Sequence, residues 1–531
     1  MRFFQWMMAA ALLIAALTGC TDPEAQARRD QTLVYGFEHP FKTFDTARLI
    51  YQQENVILAQ VAEPLVRYGP DLLLEPCLAV SWNTPDACSS WVFKLREGVK
   101  FHDGTPFNAE AVKINFDRIR DPKVAATRAK RLDKVKLVEV LDEFTIAFRL
   151  TEPNCVFPEI INEGFASILS PASIARDAAN TEKDPAKALA TAPVGTGPFI
   201  VEDWEREVAI RFRRNPDYWR PDVIKFEYLE MRPISEATTR FILLEQGALD
   251  IADVHFAHVK VARAASDIEV QSTAHLSIRY IGMNTQQPPF NDVRVRQACN
   301  YAINKEELVK HVLFGVGEPS RGPIPPVSPS FNPDVKPYPY DPEKAIALLT
   351  EAGYPNGIDI TMWAQKTGPF SKVADAVVEY LRKVNIRVNL VQYETGVYWD
   401  KFDAYLTRDG KWFPNKAGVY DMFIGTWTGG EAGHGFLDSL FTPKSYSNCS
   451  FFDNPEVSAL LTKYKGVTEP ENREPIYKEI QRIVVDEAPW IFAYHGQLNI
   501  GVRHRVQGFK LNPAQRLFFE GVTVLPMSAK E

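Results

Sequence analysis

Positive charge is not concentrated anywhere in this sequence. The formal net charge is −7, and the lysines and arginines are spread along the chain. Because nucleic-acid-binding proteins contact phosphates through a basic face, this composition argues against a nucleic-acid partner. Low-complexity tracts and internal repeats of solenoid length are also missing, and both absences favour an ordinary globular protein.

Catalytic motifs are absent as well. The sequence contains no Gly-x-Ser-x-Gly turn, no Walker phosphate loop and no His-Glu-x-x-His helix. These patterns would supply a nucleophile, a phosphate cradle and a zinc-bound water, respectively. A hydrolase would need a nucleophile and a base close together, and no candidate pair is visible. We therefore expect neither enzymatic activity nor a cofactor.

Long apolar runs are missing after the N-terminal segment, so no later segment is expected to cross a bilayer. The early run, Met7 to Leu17, follows Arg2 and is shorter than a span of about 20 residues. It leads into Leu-Thr-Gly-Cys, which resembles a bacterial lipobox. We predict a signal peptide at 1–19, lipidation of Cys20 and a linker at 20–30. A cleaved secretory signal with an incidental cysteine is the alternative. The expected location is the periplasm or cell envelope, with a lipid anchor in a membrane.

Cysteines are few, and no two of the six form a Cys-x-x-Cys pair. Zinc and thiol-redox sites commonly need that spacing, so neither is expected. An exported protein can form disulfides. Cys77 and Cys88 flank the short segment around Trp82 and are the candidate pair. Cys299 lies in a predicted helix and is expected to be a buried apolar residue.

The chain is long enough to require more than one domain. At 531 residues it exceeds what one hydrophobic core holds, and its composition, 45% hydrophobic and 24% charged, is globular. Strands are predicted at 358–362, 388–393 and 421–426, with a helix at 373–384 between the first two. This strand-helix-strand rhythm predicts a parallel α/β lobe.

The segment that begins at Trp91 predicts more local structure than any other. Apolar and charged residues alternate over 91–96, which indicates a half-buried strand. The next two residues, Glu-Gly, predict a hairpin with a second arm at 99–101. Asn108 is placed to cap a following helix. A second hairpin is predicted at 137–150, and an earlier helix is predicted from about 55 to 68.

As a string of residues, FKLREGVKFHDGTPFNAEAV at 93–112 resembles the signature of family 5 extracellular solute-binding proteins, the receptors of peptide-type ABC importers. Other family blocks follow or precede it in the expected order. These blocks are PCLAVSW at 76–82, PVGTGPF at 193–199, NPDYW at 215–219, PFNDVRVRQA at 289–298 and DEAPW at 486–490. The resemblance covers nearly all of the chain after the signal peptide.

The resemblance implies an α/β clamp of the periplasmic-binding-protein type II, whose two lobes close on a ligand, with an additional inserted domain (cluster C-like). Lobe I is assigned to 31–70, 195–283 and 498–531, the inserted domain to 71–194, and lobe II to 284–497. The implied function is capture of a small-molecule or oligopeptide ligand, with the ligand-bound closed state recognised by ABC permease subunits. We expect a monomer.

In relatives, a tryptophan after an apolar strand opens a loop that faces the cleft. The corresponding candidate ligand contacts here are Trp427, Thr428, Gly429, Gly430, Glu431 and His434. Peptide-binding members commonly carry an aspartate in this loop, which pairs with the ligand's α-amine, since an unpaired buried charge is costly. Gly430 stands at about that place, and Glu431 is the nearest acid. The two glycines leave room for a flatter ligand, such as a sugar stacked on the Trp427 indole; a core position for Trp427 is the alternative.

The remaining candidates lie elsewhere or have a competing interpretation. Family members that import nickel complexes use a histidine near His434, so a metal-chelate ligand and an exposed loop histidine both stay open, and no resident metal is expected. Tyr51, Glu54 and Phe44 lie in the first loop after the first predicted strand, and this loop borders the cleft in relatives. Oligopeptide, opine or modified amino acid, and oligosaccharide remain as ligand classes.

Overall fold

The computed structural model describes residues 23–49, 52–366, 368–406, 420–443 and 445–527. Cys20, the predicted signal peptide and Tyr51 lie outside the described residues. None of the helices in the described ranges is long and apolar enough to span a membrane.

The strands are, in chain order, β1 (Thr32–Phe37), β2 (Val66–Tyr68), β3 (Leu74–Pro76), β4 (Ala79–Asn83), β5 (Ser90–Leu95), β6 (Val135–Asp142), β7 (Thr145–Leu150), β8 (Phe199–Glu205), β9 (Ala209–Arg214), β10 (Tyr228–Pro233), β11 (Ile251–Asp253), β12 (Ile268–Met283), β13 (Glu318–Pro319), β14 (Ile358–Gln365), β15 (Ile386–Tyr393), β16 (Met422–Thr428), β17 (Trp490–Arg503), β18 (Val506–Gln507) and β19 (Thr523–Val524).

The α-helices are α1 (Pro23–Asp30), α2 (Gln52–Leu58), α3 (Ala109–Arg120), α4 (Phe157–Ile160), α5 (Pro171–Ala178), α6 (Ala237–Glu245), α7 (Val259–Ala262), α8 (Val293–Tyr301), α9 (Lys305–Glu307), α10 (Pro342–Glu351), α11 (Gly368–Lys383), α12 (Thr395–Leu406), α13 (His434–Phe441), α14 (Pro455–Lys463) and α15 (Glu474–Glu487).

One large mixed sheet passes through both lobes. Its strand order is β15-β14-β16-β12-β17-β11-β1-β10-β9-β8, with β13 paired to β17. Parallel pairs lie on both sides of the central β12 and β17: β1 pairs with β10 and β11 in lobe I, and β14 pairs with β15 and β16 in lobe II. The predicted α/β architecture with two lobes and an additional domain is confirmed.

Two long antiparallel strands, β12 and β17, join the lobes. Residues 268–274 of β12 pair with residues 497–503 of β17, and the register then shifts before Ile278 pairs with His495. From Ser277 onward β12 also pairs with β16 of lobe II. The strand partners and the register of β12 therefore change near residue 275, and the boundary between the lobes expected at 283 stays a prediction.

The inserted domain is built on a second, antiparallel sheet with the order β4-β5-β7-β6. Helix α3 covers it and buries Val112, Phe116 and Ile119 against Phe148. The Asn108 side chain accepts a hydrogen bond from Ala111 N at 3.0 Å, so the predicted cap is confirmed. The predicted hairpin at 137–150 is confirmed as β6 and β7.

Two local predictions are wrong. The arm at 99–101 does not pair with β5, because both edges of β5 are already occupied by β4 and β7. The helix expected at 55–68 ends at Leu58, and residues 66–68 form β2 instead. Pro64 lies between the two elements, and proline is incompatible with the interior of a helix.

The predicted Cys77–Cys88 disulfide is also wrong, because Cys88 is bonded to Cys155. The start of β5 pairs with the end of β7, so residue 88 and the segment after Leu150 lie side by side. Asn154 N donates to Cys88 O at 3.0 Å in the same place. Cys77 is a buried free thiol with its sulfur 3.8 Å from Glu63 Oε1. Cys299 is fully buried in α8, as predicted.

Candidate functional site

The loop that follows β16 starts with Trp427, whose ring is half-buried. The Trp427 indole N–H donates to Gly435 O at 2.9 Å and the ring packs against the lobe II core. Trp427 lies opposite Ile278 of β12, whereas Thr428 pairs with Ser277 and is exposed. The indole thus braces the loop from the core side, and Thr428 stands at the carboxyl end of the strand.

The two glycines after Thr428 have different surroundings. A Cβ atom at Gly429 would lie 2.2 Å from the Phe436 ring, so packing requires glycine there. A Cβ atom at Gly430 would meet nothing within 4 Å. Gly430 is exposed, so a larger side chain would fit at this position.

Glu431 is almost completely buried and is paired inside the protein. Its Oε1 lies 2.5 Å from Nε of Arg516, and its side chain is 3% exposed. Arg516 also donates from its second terminal nitrogen to Asn162 Oδ1 at 2.7 Å. Because Arg516 belongs to the C-terminal segment of lobe I and Asn162 to the inserted domain, this guanidinium connects all three parts of the molecule.

His434 is the first residue of α13 and faces a carboxylate of the inserted domain. Its Nδ1 lies 3.0 Å from Glu159 Oε2, and Arg473 pairs with the other oxygen of Glu159. Burial alone would raise the pKa of Glu159, but the contact with His434 and the positive charges outweigh it and lower that pKa. The histidine is therefore half-buried beside the interdomain ion pair of Glu159 and Arg473, with side-chain exposure of 12%.

A large cavity of about 740 Å³ lies between the inserted domain and lobe II. Its walls include Glu159 and Glu431 together with the aromatic residues Trp82, Trp91, Tyr68 and Tyr477. Tyr68 is 4% exposed, and its hydroxyl has no hydrogen-bond partner among the described residues. The cavity is large enough for a small organic molecule.

The two described candidates near the first strand are both buried. Phe44 is fully buried and packs against Phe41, Trp204 and Phe212 in the lobe I core. Glu54 is 2% exposed. A contact between either side chain and a ligand stays a prediction, and Tyr51 lies outside the described residues.

A smaller cavity, of about 70 Å³, lies at the carboxyl ends of β1 and β11 in lobe I. Asp253 and Glu38 line it, and the Tyr35 hydroxyl donates to Asp253 at 3.2 Å. Burial raises the pKa of Asp253 to about 6, although the charge of Arg240 acts in the opposite direction. Ligands of open α/β sheets bind beyond the carboxyl ends of such strands.

Histidine pairs with metal-binding spacing do not form a site here. The rings of His255 and His258 lie 6.1 Å apart; His255 Nδ1 accepts from Ala257 N, and His258 stacks on Phe241. Within the part of the chain that the structure describes, no group of three histidine, cysteine or acidic residues could hold a metal ion.

Comparison with known protein families identifies the family of this chain. The model of bacterial extracellular solute-binding proteins, family 5, middle region, matches residues 74–431. The chain belongs to family 5. Proteins of this family are extracytoplasmic receptors of ABC importers, and the resemblance deduced from the sequence motifs is confirmed.

Family 5 relatives match along almost their whole length. Heme-binding protein A of Haemophilus influenzae is 32% identical over 555 residues, with 98% of each chain covered. Glutathione-binding protein GsiB of Escherichia coli K12 is 30% identical over 526 residues, with 97% of each covered. The structure of the periplasmic binding protein DppA from Helicobacter pylori, in complex with the peptide STSA, has a TM-score of 0.78 and 28% identity, covering 93% of this chain and 98% of that one.

Sequence reasoning missed several residues of this family 5 site. Arg516, Asn162 and Glu159 are distant from the loop at 427–434 in sequence, so no local pattern connects them. A local signal did exist in β12, where His275, Ser277 and Arg279 alternate with the apolar residues at 276, 278 and 280. Period-two polar residues inside a buried strand indicate a polar face.

Proposed function

We propose that this protein is the substrate-binding lipoprotein of an ABC importer, which captures a peptide-like or other small organic solute between its lobes and delivers it to the permease. The observation that carries the proposal is the clamp itself. Two parallel α/β lobes are joined by β12 and β17, and a register shift interrupts these strands where they pass between the lobes. Hinged strands of this kind allow closure around a ligand.

Two similar proteins support the peptide-like class: one is named a glutathione-binding protein, and the structure of the other contains a bound peptide. A non-peptide ligand (an opine, an oligosaccharide or a metal chelate) is the second candidate, and an exported ligand sensor would use the same clamp. The second candidate is favoured by one observation: Gly430 carries no acid, and Glu431 is already paired with Arg516. Thr428 and Gly430, which are both exposed, are the loop residues we assign to direct ligand contact.

The lipid anchor is part of the proposal. The lipobox-like sequence that ends at Cys20 supports lipidation of that cysteine, and binding rather than catalysis is the role of the anchored protein. Cells that express the full-length chain should incorporate a labelled fatty acid into the protein, and Cys20→Ala should abolish that labelling. Labelling of the variant would contradict lipidation at Cys20.

Native mass spectrometry tests the cargo directly. The mature protein, exported without lipidation and purified without added ligand, should carry a co-purified ladder of peptide masses. A single sugar-like or opine-like mass would replace the peptide-like class with the second candidate. If the protein is purified empty, pools of peptides, sugars and opines should be screened for a rise in melting temperature, since a ligand stabilises the state that binds it. If none of these pools raises the melting temperature, the result would contradict a receptor for these ligand classes.

A further inference from the structure

Three polar side chains interrupt β12 where it passes between the lobes. His275, Ser277 and Arg279 alternate along the strand, so they share a face, and Ser277 lies opposite Thr428 in β16. Arg279 is paired in register with Tyr494 of β17 and is half-buried. Phe370 lies in the first turn of α11, and its ring centroid is 5.8 Å from the guanidinium carbon of Arg279. This face therefore borders the carboxyl ends of β14 and β16, where open α/β sheets bind ligands.

Among the described residues, none carries an opposite charge that pairs with Arg279, and one of its terminal nitrogens is buried without a hydrogen-bond partner. Burial lowers the pKa of Arg279, and Tyr494 is the one titratable group that counteracts this change. The remaining buried arginines of the lobe interfaces differ, because Arg473 and Arg516 each have a glutamate partner.

Two further unsatisfied groups gather beside Arg279. Ser277 Oγ and His275 Nε2 are buried and have no hydrogen-bond partner within the described ranges. Burial and then the charge of Arg279 lower the pKa of His275 to about 3, so its ring is neutral at pH 7 and can donate one N–H. A Cβ atom at Gly496 would lie 2.9 Å from Ser277 Oγ and 3.8 Å from His275 Nδ1, so this glycine leaves the space between them open.

A half-buried guanidinium without a counter-charge destabilises a fold, and buried polar donors without partners add to the cost. Such a group is explained when the missing acceptor arrives with a ligand. The planar fork of an arginine matches the two oxygens of a carboxylate, and a serine hydroxyl and a neutral imidazole can supply additional donors. A neutral sugar would leave the charge unpaired.

We propose that Arg279, with Ser277 and His275, forms an anion subsite that binds a carboxylate of the cargo. This inference rests on the proposed receptor function and narrows its cargo to solutes with a free carboxylate, such as peptides with an unblocked C-terminus. It also assigns specificity to a strand between the lobes, in addition to the loop that follows Trp427.

Paired ligand pools test the subsite. One pool contains tripeptides with a free C-terminal carboxylate, and the other contains the same tripeptides as C-terminal amides. Both are offered to the mature protein at constant ionic strength, and binding is measured by native mass spectrometry and by the shift in melting temperature. The free-acid pool should bind at least about 10-fold more tightly than the amide pool, because charge-assisted hydrogen bonds are lost in the amide.

Arg279→Gln should abolish this preference and should leave the melting temperature of the ligand-free protein unchanged or higher, since the variant removes an uncompensated buried charge. Arg279→Lys keeps the charge but not the fork and should retain part of the preference. The matched control is Arg382→Gln, because Arg382 is exposed on lobe II and pairs with Glu379. This control should bind the free-acid pool as the unchanged protein does.

The outcomes separate the two proposals. Equal binding of acids and amides, or an acid preference that survives in Arg279→Gln, would overturn the anion subsite while the receptor function stands. A fall in ligand-free stability of Arg279→Gln with the preference intact would give Arg279 a structural role instead. If the unchanged protein binds neither pool, the result would contradict both the peptide-like cargo and the anion subsite.

Discussion

Asp253 is a carboxyl group whose surroundings favour its protonated form. It ends β11 beside Tyr35, and burial raises its pKa to about 6 despite the opposing charge of Arg240. The unshifted value is 3.8. Between about pH 4 and pH 6 the folded state therefore binds a proton that the unfolded chain has released. The stability falls as the pH rises through this window, and the full cost is present above it.

Asp253→Asn should remove this cost. We expect the variant to raise the free energy of unfolding at pH 7.5 by up to about 3 kcal/mol. At pH 3.5 it should have little effect, because the Asp253 carboxyl group is then largely protonated in both the folded and the unfolded state. Urea denaturation at the two pH values measures the difference. Asp359→Asn is the control, since Asp359 is exposed and its pKa is lowered by Arg387. An equal effect of Asp253→Asn at both pH values would contradict the assignment.

At the scale of single elements, the segment from Asn154 to Ile160 has contacts in two domains. Cys155 is tied to Cys88 in the inserted domain, while its backbone N–H donates to Lys465 O of lobe II at 2.7 Å. Glu159 follows in α4 and pairs with Arg473 and His434 of lobe II. The disulfide thus anchors the element that presents Glu159 to lobe II.

Removing the disulfide should destabilise this element. Cys88→Ala with Cys155→Ala is expected to lower the free energy of unfolding by about 2–5 kcal/mol. In the unchanged protein, dithiothreitol should lower the melting temperature, and in the double variant it should have no effect. Cys77→Ala is the matched control, because Cys77 is a buried free thiol and its variant should still respond to the reductant. A peptide map with a Cys77–Cys88 link would contradict the bond.

Where periodicity and capping predicted an element correctly, the signal depended on neighbours in sequence. The strand at 91–95, the cap at Asn108 and the strand-helix-strand order after 358 are of this kind. The pairing of the strands was harder to predict from the sequence. Nothing local to residues 99–101 shows that β5 already has a neighbouring strand on each side. The Cys88–Cys155 bond depends on that same pairing. In the site, the position of the loop at 427–434 was predictable, but the partners of Glu431 and His434 come from chain segments distant in sequence.

At the scale of the whole molecule, charged contacts connect the domains beside the large cavity. Arg516 connects lobe I to Glu431 of lobe II and to Asn162 of the inserted domain. Glu159 connects the inserted domain to Arg473. Ion pairs across a cleft bias the balance between open and closed states, because opening separates charges that are buried when the clamp is closed.

Glu431 has two possible roles, and one substitution separates them. If it pairs with the amine of a peptide, Glu431→Gln should weaken binding of free-amine tripeptides and leave their N-acetylated forms unaffected. If it ties Arg516 across the lobes, the affinity for both pools should fall by the same factor, and the ligand-free protein should open, with a larger radius of gyration by X-ray scattering. The contacts favour the second result, since Glu431 is 3% exposed and lies 2.5 Å from Arg516.

A double-mutant cycle and a matched control complete this test. Glu431→Gln alone leaves the Arg516 charge without its partner and should cost about 3 kcal/mol of stability, and Arg516→Gln in the same chain should restore part of it. Glu520→Gln is the control, because Glu520 pairs with Arg67 and Arg220 within lobe I. It should change neither the radius of gyration nor the affinity ratio of the two pools. Additive effects of the Glu431 and Arg516 substitutions would show that the pair does not hold the lobes together.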